Sequence, residues 1–239
     1  MRAFLGAVSF LTILKIPGKS EVPGKSAIFF PLVGALLGAV GAGIYIGASR
    51  ALPTSLASLL TVAFWAGISG VLHEDGLADV ADALRAERTR EKMLSILKDS
   101  RIGTFGAVAI VFSVIVRWQA LEHLTTPRIL EVCIASQAVP RAAMVALAWV
   151  SRPVGTGGGV AFSSTLTTAG ALVAIAQGFI AALACGLEQG VIILFGGYFL
   201  LRVARWYFYR RIGGVNGDCL GATEQVFEMM ILVLFTTSL

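Results

Sequence analysis

Asp75, Asp79 and Asp82 form a carboxylate cluster with the spacing i, i+4 and i+7. At 100° per residue these positions cover an arc of about 60°, so a helix would present all three carboxylates on one face. Three neighbouring anions repel one another unless some are protonated or a cation lies among them. Their oxygens suit Mg²⁺, which is commonly held by a few carboxylates together with substrate phosphates. A solvated acidic helix face, or pairing with Arg85 and Arg88, is the alternative that the spacing leaves open.

The segment from Lys98 to Gly103 places a carboxylate and two cations directly before an apolar stretch. Asp99 could act with the aspartate cluster, while Lys98 and Arg101 could neutralise a phosphate. Glycine at position 103 would let the backbone approach a ligand closely. Taken alone, the same residues would also fit a helix cap followed by a positively charged membrane anchor.

A glycine-rich segment, Gly213 to Ala222, lies between two apolar stretches near the end of the sequence. It contains Asn216, Gly217 and Asp218 in succession. This composition predicts a tight polar loop, in which Asp218 could bind a metal ion and backbone N–H groups could bind phosphate. An ordinary turn is the alternative.

Two arginines, Arg117 and Arg141, fall within apolar stretches. An arginine inside a membrane costs at least about 2.5–3.5 kcal/mol, so each should face the protein interior and a negatively charged partner. A substrate phosphate would serve, as would a carboxylate such as Glu224 or Glu228, and Arg117 could instead reach the membrane surface. The candidate substrate-binding residues are His73, Arg117, Arg141, Asn216 and Gly217.

The composition identifies the surroundings of these residues. Of 239 residues, 56% are hydrophobic and only 14% are charged, and the mean hydropathy is +0.83. A soluble domain carries roughly 25% charged residues, so most of this surface must face lipid. The net charge of +5 is typical of loops that meet anionic lipid. No basic stretch is interleaved with aromatic residues, so we do not expect nucleic-acid binding.

We predict an all-α fold: a polytopic transmembrane helical bundle of about seven spans, forming one integral-membrane catalytic domain over residues 1–239. Residues 1–26 are expected to lie at the membrane surface, with Lys15, Lys19 and Lys25 facing the headgroups. The polar segments between spans are 73–103, 151–165 and 210–222. A window of about 20 residues places the spans near 27–49, 52–72, 104–124, 129–150, 166–186, 188–209 and 223–239.

The lysines and arginines predict how this bundle is oriented. Of the 19, thirteen fall in the N-terminal segment and the three polar segments. Only Arg50 and Arg128 fall between spans on the other side, and the remaining four lie within or at the ends of spans. Positively charged loops stay in the cytosol, so we expect the N-terminus and the candidate site to be cytosolic.

These residues stand in motifs that resemble those of the adenosylcobinamide-GDP ribazoletransferase family, also called cobalamin 5'-phosphate synthases. The matches follow the family's order along nearly the whole chain, and D-G-L-A-D-x-x-D and K-D-S-R-x-G are the most specific. They are Phe10–Thr12, Phe30–Gly34, His73–Asp82, Met93–Gly103 with Gly106, and Gly213–Ala222. The chain departs from the usual pattern at Glu74, Ala83 and Asn216, where the family commonly has an apolar residue, glycine and threonine.

The resemblance implies an enzyme of the cytoplasmic membrane that joins adenosylcobinamide-GDP to α-ribazole or its 5'-phosphate, releases GMP and depends on Mg²⁺. The implied partners are these two substrates and the lipid bilayer. A homo-oligomer or other membrane-associated corrinoid enzymes are partners that the sequence leaves open. The candidate catalytic residues are Asp79, Asp82, Asp99, Lys98, Arg101 and Asp218, and the candidate metal ligands are Asp75, Asp79 and Asp82.

Two other functions compete with this interpretation. A CDP-alcohol phosphotransferase also carries a helical aspartate cluster, with the signature D-G-x-x-A-R-x8-G-x3-D-x3-D. Asp75, Gly76 and Ala78 fit its start, but Asp79 replaces the arginine and the later aspartates do not follow at the required distance. An ion-coupled transporter usually has its charges at mid-membrane on broken helices, whereas these gather at one rim.

Overall fold

The computed structural model describes residues 1–16, 23–84, 89–99, 101–124 and 126–236. These residues form helices and connecting turns, and the one isolated bridge among them joins Pro153 to Val215. The all-α prediction is therefore confirmed for the described part of the chain. Lys19, Arg85, Arg88 and Ser100 lie outside the described residues, so the headgroup contact predicted for Lys19 and the alternative pairing with Arg85 and Arg88 are left open.

Twelve α-helices are present in the described residues. Helices α1 to α6 are Arg2–Leu11, Pro23–Ser26, Phe30–Ala48, Thr54–Ile68, Leu72–Ala83 and Arg90–Ile96. Helices α7 to α12 are Thr104–Glu122, Ile129–Trp149, Gly158–Thr165, Thr168–Leu183, Leu187–Ile212 and Gly217–Leu234.

Length and hydropathy identify which helices could cross a membrane. Four qualify alone: α3 with the turns before it, α7, α8 and α11. Helices α4 and α5 qualify only as a pair, with a bend of 85° between them. The same holds for α9 and α10, with a bend of 103°. The described residues therefore hold four to six candidate spans. The predicted seventh span, 223–239, falls on α12, which carries Asp218, Glu224 and Glu228 and is not among them.

The predicted second span, 52–72, contains a bend near its C-terminal end that was not predicted. Helix α4 stops at Ile68, and the chain turns sharply before α5 begins at Leu72. Gly70 and Val71 both have positive φ, of 62° and 54°. For a β-branched residue such as Val71 this conformation is an outlier. The apolar run continues through the turn, so hydropathy alone gave no sign of it.

The segment 210–222 is also more helical than predicted. Helix α11 continues to Ile212, and α12 already begins at Gly217. The cause is a helix cap: the Asn216 side-chain Oδ1 accepts a hydrogen bond of 3.0 Å from the backbone N–H of Cys219. Asparagine is a favoured N-cap because it satisfies such an N–H group. The polar composition that predicted a loop thus marks a helix start.

Helix α8 lies at the centre of the bundle. It packs against α3, α10 and α12, and 78% of its 18-residue apolar stretch is buried. Gly34 and Gly38 of α3 lie directly against the α8 backbone, as small residues commonly do between membrane helices. Helix α11 is peripheral, because only 17% of its 18-residue apolar stretch is buried.

The N-terminal helix α1 is attached to the bundle by aromatic packing. The Phe10 ring stacks on Phe30 at 5.3 Å between centroids, and Phe30 stacks on Phe162 at 5.2 Å. Lys15 and Lys25 are exposed, as the prediction of headgroup contact requires. Whether this segment lies at a membrane surface remains a prediction.

Candidate active site

Helix α5 presents the predicted carboxylate cluster. The segment His73–Asp82 is helical throughout, which confirms the prediction from spacing. Asp79 lies at the centre, where the negative charges of Asp218, Asp75 and Asp82 act on it. Asp79, Asp82 and Asp218 are half-buried, and Asp75 is exposed. The structure therefore brings Asp218, a predicted site residue at the start of α12, to the three aspartates of α5.

A close helix crossing brings Asp218 to this cluster. A Cβ atom on Gly76 would lie 2.9 Å from the Asp218 carbonyl oxygen and 3.2 Å from the Gly221 Cα. These distances are shorter than normal contacts, so only glycine fits at position 76 with α5 and α12 so close. The glycines of the D-G-L-A-D and G-D-x-L-G motifs thus join the two acidic segments.

Asp82 connects α5 to the start of α7. Its Oδ2 accepts a hydrogen bond of 2.7 Å from the backbone N–H of Gly103. A Cβ atom on Gly103 would lie 2.5 Å from Asp82 Oδ1. The K-D-S-R-x-G segment therefore meets the aspartate cluster through a backbone N–H group and a glycine.

Asp99 and Arg101 form an exposed ion pair beside this contact. Arg101 donates hydrogen bonds to both Asp99 carboxylate oxygens, the shortest at 2.6 Å from Nη2 to Oδ2. These bonds lower the pKa of Asp99 to about 2. The Arg101 side chain is 87% exposed, and Lys98 is also exposed. Asp99 is thus engaged by Arg101, while the charges that act on Asp79 come from α5 and α12.

Asn216 orients Asp218 as well as capping α12. Its Nδ2 donates a hydrogen bond of 2.7 Å to Asp218 Oδ2. Gly217 is exposed and touches Gly159 at the start of α9. This contact was not predicted, although the glycine-rich stretch 155–159 was a signal for a close backbone approach. The predicted substrate-binding roles of Asn216 and Gly217 remain predictions.

A buried ionic network lies behind the aspartate face. Arg141 Nη1 lies 2.7 Å from Glu224 Oε1, and His73 Nδ1 lies 3.3 Å from Glu224 Oε2. All three side chains are buried: Arg141 is 3% exposed, Glu224 is 0% exposed and His73 is 2% exposed. Glu224 therefore links α12 to α8 and to the first turn of α5.

Arg117 forms the second half of this network. Its Nη1 lies 3.0 Å from Glu74 Oε1 and 3.5 Å from Glu228 Oε2. Of the two kinds of partner expected for the intramembrane arginines, a substrate phosphate or a carboxylate such as Glu224 or Glu228, the structure shows the carboxylates. Glu74, which departs from the usual family pattern, is explained as a further partner of Arg117. Substrate binding by His73, Arg117 and Arg141 stays a prediction, and in this conformation all three are buried.

The C-terminal end of α5 is held by α11. The Leu84 carbonyl oxygen accepts hydrogen bonds from the Tyr207 hydroxyl at 2.6 Å and from Arg211 Nη2 at 3.1 Å. Sequence reasoning missed both residues, because they stand over 120 positions away from Leu84. Helix α5 is thus fixed at its start by the ionic network and at its end by α11.

The donor chemistry of the cluster fits one mode of Mg²⁺ binding. Among the described residues, no group of three His, Cys, Asp or Glu side chains is arranged to hold a metal ion by itself. Mg²⁺ is usually bound by one or two carboxylates, with water and substrate phosphates completing its octahedral shell. The half-buried, mutually repelling carboxylates around Asp79 suit that mode, but not a cage of three protein ligands.

Comparison with known proteins agrees with the arrangement of these motifs. Residues 3–236 match the family described as cobalamin-5-phosphate synthase. The chain is 38% identical to the adenosylcobinamide-GDP ribazoletransferase of Bradyrhizobium diazoefficiens, covering 95% of this chain and 90% of the relative. It is 35% identical to the protein of the same name from Ralstonia pickettii, with 97% and 93% covered. The Geotalea daltonii protein of that name is 36% identical, with 98% and 96% covered. No solved structure shows significant similarity to the chain.

Proposed function

Because the chain belongs to the cobalamin-5-phosphate synthase family, we propose that it is a transferase that joins adenosylcobinamide-GDP to α-ribazole or its 5'-phosphate. The observation that carries this proposal is the family match over residues 3–236, which includes every motif that builds the site. The relatives reported above carry the ribazoletransferase name and match over at least 90% of their length.

The reaction breaks a pyrophosphate link and forms a phosphodiester. A ribazole hydroxyl oxygen attacks the phosphorus on the cobinamide side, and the bond from that phosphorus to the bridging oxygen breaks. GMP leaves with the electron pair, and the hydroxyl proton passes to a base. Asp218 suits the role of base, because Asn216 orients its carboxylate and it faces the α5 aspartates.

We propose that Mg²⁺ binds at the cluster of Asp75, Asp79 and Asp82, through one or two of these carboxylates together with the substrate phosphates. When bound, the ion would supply positive charge against the developing charge of the leaving phosphate. The repulsion around Asp79 supports this assignment, since a cation there would relieve it. The exposed Lys98 and Arg101 would add positive charge for the GMP phosphate at the same edge.

We also propose a location in the cytoplasmic membrane with the site facing the cytosol. The four to six apolar candidate spans support a membrane protein. The excess of Lys and Arg in the N-terminal and polar segments supports the cytosolic side for the site. A homo-oligomer, or a complex with other corrinoid enzymes, stays an untested prediction.

The two competing functions are not favoured. The family and its relatives carry the synthase and ribazoletransferase names, and none of those names is that of a CDP-alcohol enzyme or a transporter.

The direct test is an assay of purified protein in lipid or detergent with adenosylcobinamide-GDP, α-ribazole and Mg²⁺. We expect GMP and a cobalamin product to form in equal amounts. GMP formed without α-ribazole would indicate hydrolysis, so that reaction is the control. Failure to release GMP from protein that is folded and inserted would overturn the proposal. Transfer from a CDP-alcohol would instead support the competing phosphotransferase function.

A further inference from the structure

A cavity of about 410 Å³ opens between α8, α10 and α11, away from the aspartate face. Its floor is formed by small residues of α8, including Ala142, Ala143 and Ala146, and its apolar walls by Phe179 and Ile193. The peripheral position of α11 leaves this space open to the surface of the bundle. In a membrane protein that surface faces lipid.

Two arginines stand at one end of this otherwise apolar cavity. Arg202 and Arg205 both line it, and no Asp or Glu is among the described residues that do. Arg205 Nε donates a hydrogen bond of 3.0 Å to the Val150 carbonyl oxygen, and its guanidinium lies 4.4 Å from the Tyr209 ring centroid. Arg202 is exposed and has no hydrogen bond or ion pair within the described part of the chain. The cavity therefore offers positive charge that no carboxylate among the described residues neutralises.

The position of this charge matches the edge of a bilayer. Trp149, the last residue of α8, also lines the charged end, and tryptophan favours the membrane–water interface. From Arg205 to Ile193 the cavity follows α11 for about 18 Å, at 1.5 Å per residue. This is close to one leaflet, since the hydrocarbon core of a bilayer is about 30 Å thick.

We propose that this cavity binds one anionic phospholipid. The lipid phosphate lies on Arg202 and Arg205, and one acyl chain follows the alanine floor of α8 towards Ile193. A cationic rim above a leaflet-deep apolar channel complements both the charge and the shape of such a lipid. A second copy of the chain that covered the cavity would have to bury Arg202, which has no ion-pair partner in the described residues, and burying an unpaired charge is unfavourable.

Lipid titration of the purified, delipidated protein, read by native mass spectrometry, tests this proposal. The probes are phosphatidylglycerol and, as its uncharged counterpart, phosphatidylcholine. We expect one phosphatidylglycerol to bind in preference to phosphatidylcholine. Arg202→Gln should weaken that binding about fivefold, and Arg202→Gln with Arg205→Gln about 25-fold. Ala146→Phe should block the cavity without changing the charge.

The matched control is Arg210→Gln, which removes a charge from the same end of α11 outside the cavity. It should leave phosphatidylglycerol binding unchanged. The single change Arg202→Gln breaks no hydrogen bond or ion pair in the described residues, so it keeps the test valid if the double variant unfolds. Three results would overturn the proposal: equal binding of the two lipids, equal effects of Arg202→Gln and Arg210→Gln, or competition by millimolar inorganic phosphate. A stable dimer that covers the cavity and excludes lipid would also overturn it.

Discussion

The backbone N–H of Gly103 lies 2.7 Å from Oδ2 of Asp82 and donates a hydrogen bond to it. This bond joins the last aspartate of α5 to the residue that precedes α7. It fixes one edge of the aspartate face, so the carboxylates around Asp79 do not depend on α5 alone for their positions.

Gly103→Ala should therefore lower turnover at least about tenfold while the protein remains inserted. The new Cβ atom would lie 2.5 Å from Asp82 Oδ1, so the carboxylate or the start of α7 must move. Misplacement of about 1 Å can reduce catalysis by that order of magnitude or more. The initial rate of GMP release measures the effect. Gly43→Ala is the control, because a Cβ atom there meets nothing within 4 Å; similar losses in both variants would contradict the explanation.

Asp79→Asn should abolish turnover and leave the fold intact. Asp79 is the aspartate on which the charges of Asp218, Asp75 and Asp82 all act, and the amide removes the central negative charge. The size of Asn matches Asp, so no cavity forms. GMP release and the thermal unfolding midpoint are measured together. The exposed Glu91→Gln should keep full activity, and near wild-type activity of Asp79→Asn would sink the proposed metal site.

Removal of divalent metal should stop the reaction reversibly. A chelator should abolish GMP release, and added Mg²⁺ should restore it, because the carboxylates and the substrate phosphates would share the ion. Asp75→Asn should raise the Mg²⁺ concentration needed for half-maximal rate by about tenfold, since one ligand is lost. A rate that is indifferent to chelation, or an unchanged Mg²⁺ requirement in Asp75→Asn, would count against this assignment.

The Arg141–Glu224 ion pair should show strong coupling in stability. Arg141→Met leaves the buried Glu224 carboxylate without its guanidinium, and we expect a loss of about 3–5 kcal/mol in unfolding free energy. Adding Glu224→Gln removes the unpaired charge, so the double variant should recover at least about 1 kcal/mol. Denaturant unfolding in micelles measures the unfolding free energy of Arg141→Met, of Glu224→Gln alone and of the double variant. Strict additivity of the two single losses would show that the pair is not coupled.

The sequence alone was enough to predict the fold class, the helix that carries the aspartates and the need of each intramembrane arginine for a negatively charged partner. Each of these follows from local rules. Composition determines which solvent the surface can meet, the i, i+4, i+7 spacing places the carboxylates on one face, and the cost of a buried charge demands a partner. The three polar motifs were likewise visible as separate segments.

Only the tertiary structure decided how these segments meet. The bend after Ile68, the cap at Asn216 and the pairing of Asp99 with Arg101 left no clear signal in hydropathy. The approach of Asp218 to Asp79 depends on two helices packed at Gly76, and such contacts join residues more than 130 positions apart. Periodicity is a property of one helix, whereas a composite site depends on helix packing. That is why the α5 cluster followed from spacing, while the approach of Asp218 to Asp79 and the bond from Gly103 to Asp82 did not.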